Sequence, residues 1–182
     1  MGNPNWSTPR SFFERVSAAW GPFGLDAAAS KANKKCDFWF GPGSEDGPWL
    51  EGGYPNALHC DWLMAVEKAE WERHFPSGRR VYLNPPYTDL LAWVTKAAEE
   101  SDKGLTVVML LPWGQWAEWY EIVAKRAEII RVVGRIKFID PNPSKGKPRL
   151  CPNGQNVIAI LRSPVEGVCW PTGFCGGTIS AS

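Results

Sequence analysis

The chain has 182 residues, a net charge of +1, 44% apolar residues and 21% charged ones. That is an ordinary globular composition, large enough to bury a core, and it excludes a global basic field, so nucleic-acid binding has to come from a local patch. No apolar run approaches the ~18 residues of a membrane helix, and Met1-Gly2-Asn3-Pro4-Asn5 is no signal peptide, so a cytoplasmic protein away from the membrane is expected.

In chain order, Trp6-Ser7-Thr8-Pro9 predicts a helix start, with Ser7 or Thr8 as cap, Pro9 at the first helical position, and Phe12, Phe13 and Val16 as the apolar face. Phe23-Gly24-Leu25 leads into a short strand ending at Asp26-Ala27-Ala28-Ala29-Ser30. Residues 38–54, rich in Gly and Pro, read as a loop around at most one short strand. A helix over 64–75 and a strand over 79–83 follow, then a helix over 90–100 with Asp89 as its cap. The continuous apolar run 105–111 reads as a central parallel strand that Pro112 ends. A helix over 116–125 and a strand over 129–133 come next. Two extended runs, 135–139 and 156–161, flank a Pro/Gly/Lys-rich loop and predict a long hairpin. The alternation predicts an α/β fold, a mostly parallel sheet with a C-terminal edge hairpin. Residues 1–165 form one domain and 166–182 a tail.

The strand over 79–83 runs into Asn84-Pro85-Pro86-Tyr87, the most informative segment of the chain. Two prolines stop the strand and stiffen the turn, so an amide and an aromatic ring are presented together at a strand end. The Asn84 side-chain oxygen and the Pro85 carbonyl can accept the two hydrogens of an exocyclic amine, favour a tetrahedral nitrogen and aim its lone pair at a methyl donor. Tyr87 can stack on the base. The plain alternative is a Pro-Pro turn over a buried Tyr. Strand ends are where α/β sheets bind ligands, and Asp26 lies at the same edge.

For a cofactor, Asp26, Ala27 and Ala28 offer a carboxylate for an ammonium and small residues that admit a ligand to the backbone. Asp61 with Trp62 offers a second carboxylate for a purine amine and a ring to cover it. Either aspartate can instead cap a helix. Arg135, Lys137, Lys145, Lys147 and Arg149 form a basic cluster in the hairpin region suited to phosphates. Eleven Trp residues leave some rings for stacking after the core is filled. Five Cys residues without a CxxC pair read as free thiols, not a metal site.

In sequence, Trp6-Ser7-Thr8-Pro9 with its aromatic-rich helix, Leu25-Asp26-Ala27-Ala28-Ala29-Ser30, Asn33, Cys36, Asp61-Trp62, Asn84-Pro85-Pro86-Tyr87, Trp93-Val94, Lys96-Ala97, Leu111-Pro112 and Gly134-Arg135-Ile136-Lys137-Phe138 resemble the phage-type DNA adenine (N6) methyltransferases. The resemblance runs from about Trp6 to Leu161 and implies a Rossmann-like class I fold, S-adenosyl-L-methionine as cofactor, and adenine in DNA as substrate. It further implies that Asn84, Pro85 and Tyr87 carry the catalytic pocket. Trp6, Thr8, Pro9, Asp26 and Ala27 would surround the cofactor, and Asp61 would meet its adenine ring. The segment between Cys36 and Asp61 and the helix over 64–75 depart from the family pattern. A phage protein acting as a monomer in a bacterial host is expected, with target recognition left to loops or a partner. Methylation of a cytosine amine, an RNA substrate, or a non-catalytic binding module remain alternatives.

Overall fold

The computed structural model describes residues 6–41, 56–73, 79–139, 154–163 and 177–181. Its centre is the apolar run expected there: β3 (Thr106–Pro112) has every residue buried except the last. Parallel to it lies β2 (Arg80–Leu83), and parallel to β2 lies the two-residue β1 (Leu25–Asp26). On the other side of β3 the chain inserts β5 (Asn156–Leu161), antiparallel both to β3 and to β4 (Ala127–Val133). A short outer strand, β6 (Thr178–Ser180), pairs parallel with β4. The strand order is β1-β2-β3-β5-β4-β6.

Period-two alternation divides these strands between two cores. Val107, Met109, Leu111, Val157, Ala159 and Leu161 face one side, which is covered by α2 (Trp62–Arg73), α3 (Leu90–Asp102) and α4 (Glu118–Arg126). Val108, Leu110, Ile158 and Ile160 face the other, where α1 (Arg10–Trp20) packs Phe12, Phe13 and Val16. The α1 face is the one the apolar spacing predicted.

Four expectations need correction. Helix α1 begins at Arg10, so Pro9 is its cap residue and neither Ser7 nor Thr8 caps it. Asp89 occupies the cap position of α3, yet its side chain makes no capping bond. The edge hairpin takes another form. Gly134, at φ +90°, turns the chain after β4, and residues 135–138 leave the sheet; Ile139 bridges antiparallel to Ser7 instead. With every residue buried, β5 is an inner strand. Finally, β6 lies in the expected tail, and it forms the sheet edge. Pro112 is accommodated as the last residue of β3 because β2 ends at Leu83, opposite Met109, so its nitrogen meets no ladder on that side.

Glu100 ties two of the helices together. It is fully buried on α3, and its Oε2 accepts from the backbone N–H groups of Trp62 (3.2 Å) and Leu63 (3.3 Å) at the start of α2. Its Oε1 accepts from Lys96 (2.6 Å) and Lys103 (2.8 Å). A carboxylate from one helix thus caps another. Glu100→Ala should destabilise the fold by roughly 3 kcal/mol, because two amides and the Lys96 ammonium lose their partner together and Lys103 keeps only Asp61. Urea unfolding measures this; a loss below about 1 kcal/mol would mean that Asp61, which also caps α2, suffices.

Candidate active site

Because β1 and β2 run parallel with Asp26 beside Tyr82, residues following both strands emerge at one edge of the sheet. There the chain leaves β2 through Asn84, buried Pro85, and half-buried Pro86 and Tyr87, before α3 begins at Leu90. A cavity of about 150 Å³ opens at this edge. Trp6, Thr8, Asp26, Ala28, Asn84 and Pro86 line it, six of the residues singled out from the sequence. The N-terminal segment reaches the cavity through the Ser7–Ile139 bridge, whose two backbone bonds are both 2.9 Å. Thr8 is buried and shares a 2.9 Å hydrogen bond with the Tyr82 hydroxyl in the cavity wall. Asn84 donates from Nδ2 to the Trp6 carbonyl over 3.5 Å.

Asp26 is the unusual group. It is 3% exposed; its Oδ2 accepts from the Lys35 backbone N–H at 2.9 Å, while Oδ1 makes no hydrogen bond among the described residues. Burial pushes its carboxyl up to about 6, and the backbone N–H groups of Lys35 and Ala28 with the Lys35 charge pull it back only partly. Lys35 also lines the cavity, its Nζ donating to Ser7 Oγ and the Asn33 carbonyl, each at 2.9 Å. Burial lowers its own ammonium, against the pull of Asp26. A desolvated anion with one unsatisfied oxygen thus stands beside a cation. Gly41 forms part of the same wall at φ +133°; a Cβ there would fall onto the Ala29 carbonyl, so only glycine fits.

Tyr87 does not line this cavity. Its ring packs against the larger core, and its hydroxyl accepts from Asn156 Nδ2 at 3.1 Å. Asn156 belongs to the wall of a second, wider groove of about 1060 Å³, lined also by Trp113, Gln115, Tyr120, Arg131 and Arg135. The Trp113 and Tyr120 rings meet edge-on at 6.0 Å. The Asn-Pro-Pro-Tyr turn therefore stands between two concavities.

Other residues singled out from the sequence lie elsewhere. Pro9 and Ala27 flank the first cavity without lining it. Asp61 is exposed at the start of α2: its Oδ1 accepts from the Met64 N–H (2.9 Å) and its Oδ2 from Lys103 (3.0 Å). Burial opposes ionisation of Asp61, but these partners hold its carboxyl below the usual range. Trp62 is fully buried and donates to the Ala57 carbonyl at 2.8 Å. The helix-capping alternative thus describes Asp61, and Trp62 is core. Arg135 lies in the second groove and Lys137 is exposed, whereas Lys145, Lys147 and Arg149 lie outside the described residues. Among the described residues no group of three metal-ligating side chains stands together. Lys35 and Asn56 in the first cavity, and Arg131 and Asn156 in the second, carry no local sequence signal, and Trp93, also in the first cavity, was marked only by the resemblance.

The site is thus that of an α/β protein with a two-part cleft at the carboxyl edge of its parallel strands, the place where such sheets bind ligands. The chain belongs to the DNA N-6-adenine-methyltransferase (Dam) family, whose model matches residues 52–168. It is similar to a DNA N-6-adenine-methyltransferase of Escherichia phage T1, at 29% identity over 178 residues that take in 89% of this chain. The chain spans 64% of the length of that relative. Among the described residues no helix is long and apolar enough to cross a membrane.

Proposed function

We propose that this chain transfers a methyl group from S-adenosyl-L-methionine to the exocyclic amine of adenine in DNA. The observation that carries the reading is the position of the turn: Asn84 and Pro86 face the cavity that holds Asp26, while Tyr87 is tied to the wall of the second groove. A reaction joining two substrates needs a pocket for each, meeting at one point.

The first cavity fits the cofactor's amino-acid end. An α-ammonium satisfies the lone Asp26 Oδ1, and an α-carboxylate matches the Lys35 ammonium beside it. When bound, the cofactor supplies an electrophilic sulfonium methyl group. Asn84 and the Pro85 carbonyl hold the two amine hydrogens of the base, and Tyr87 stacks on its face after it leaves the duplex. The second groove, with Trp113, Arg131 and Arg135, takes the flanking strand. The fold is read as Rossmann-like and class I, and the sheet edge from β1 to β3 as its cofactor half.

Incubation with unmethylated DNA and labelled cofactor, followed by nucleoside mass spectrometry, should yield N6-methyladenine. Cofactor binding without any methylated nucleoside would reject the reading, and methylcytosine would replace the substrate. For the groove, changing Arg131 and Arg135 to Gln should lower the slope of log affinity for DNA against log salt by about 2. An unchanged slope would remove this groove from the DNA path.

A further inference from the structure

We infer that Asn156 is a positioning residue that fixes where the far end of the Tyr87 ring lies; this rests on the reading of the Asn-Pro-Pro-Tyr turn as the base pocket. Asn156 is the first residue of β5, is 4% exposed, and stands opposite Pro112 across the antiparallel ladder. Its Nδ2 lies 3.3 Å from the Leu111 carbonyl and 3.1 Å from the Tyr87 hydroxyl. A backbone carbonyl can only accept, so the Leu111 contact fixes which end of the amide carries the hydrogens. The Tyr87 hydroxyl is then the acceptor of the second one.

The consequence is geometric. The backbone of a Pro-Pro turn is stiff, but a half-buried tyrosine ring following it still has two side-chain torsions to set. One is limited by packing against the core, and the hydroxyl anchor holds the ring's far end. The anchor comes from a strand 69 residues away in sequence, itself wedged between two others, so it moves only with the sheet. A base stacked on Tyr87 takes its plane from that ring, and the direction of its amine lone pair follows. Asn156 touches neither base nor cofactor in this scheme; it acts through Tyr87.

The test uses the full chain, unmethylated DNA and steady-state methylation. Tyr87→Phe keeps the ring and removes the hydroxyl, and Asn156→Ala removes the donor together with its bond to the Leu111 carbonyl. Each should lower kcat on the order of tenfold while leaving KM for the cofactor unchanged. The double variant should lose no more than the single ones, because both remove the same bond. Losses that multiply in the double variant would overturn the inference, as would a folded Asn156→Ala protein with wild-type kcat. Should Asn156→Ala fail to fold, Tyr87→Phe alone decides, and wild-type kcat for it overturns the inference. A wild-type chain that binds cofactor yet methylates no adenine rejects the underlying reading instead.

Discussion

Asn84→Ala should reduce methyl transfer by roughly 10²–10³-fold while leaving cofactor affinity within a few-fold of wild type. The lone pair of the base's exocyclic amine is delocalised into the ring, and acceptors aimed at both amine hydrogens favour the tetrahedral geometry that frees it. Removing the Asn84 amide takes away one of the two, and the effect falls on the chemical step because the interaction strengthens as the nitrogen becomes tetrahedral. The fold should change little, since the side chain's bond to the Trp6 carbonyl is a long one, 3.5 Å. Single-turnover rates, calorimetric cofactor titration and a thermal melt separate these quantities. Near-normal turnover in the folded variant would end the proposed pocket chemistry.

Asp26→Asn should act in the opposite sense on stability and function. The folded protein raises the Asp26 carboxyl from 3.8 to about 6. Its folded state therefore holds the proton more tightly than the unfolded chain. The stability it contributes is full below about pH 4 and is lost as pH rises through 6, on the order of 3 kcal/mol in all. An amide keeps the acceptor for the Lys35 N–H and carries no charge to desolvate, so Asp26→Asn should melt higher than wild type at pH 8. The same change removes the anion proposed to meet the cofactor's ammonium, and affinity should fall by roughly a hundredfold. In the wild type, cofactor affinity should weaken about tenfold per pH unit below 6, a dependence the Asn variant lacks. A variant that melts lower and binds as tightly would show that Asp26 is a structural carboxylate.

The placement of these two residues at one sheet edge was legible in the sequence because local rules and topology agree on it. A Pro-Pro turn after an apolar strand, and an aspartate ending another, both point to the carboxyl edge once the sheet is taken as parallel. Asp61-Trp62 was ambiguous for the converse reason. An aspartate before a helical run suits a ligand or a cap equally, and the bonds to Met64 and Lys103 decide for the cap. Segment 135–139 keeps the two-residue alternation of a strand, burying Ile136 and Phe138, so its pattern predicted a hairpin. Only the turn at Gly134 sends it to Ser7 instead. Asn156, Lys35 and Glu100 had no comparable signature. Lys35 sits in a pair of lysines and Glu100 in a pair of glutamates that look solvated. What distinguishes them is burial by segments distant in sequence.

The insertion of β5 between β3 and β4 bears on how the chain is made. Strands β3 and β4 are joined through α4, yet neither pairs with the other; each waits for a partner that leaves the ribosome some 25 to 50 residues later. A nascent chain ending after β4 carries two apolar strands with open inner edges, the template that recruits stray strands. The sheet therefore closes from its middle, and closes late. Release of the chain before Leu161 leaves an aggregation-prone product whose Asn-Pro-Pro-Tyr turn is already synthesised but whose Tyr87 anchor has not yet arrived.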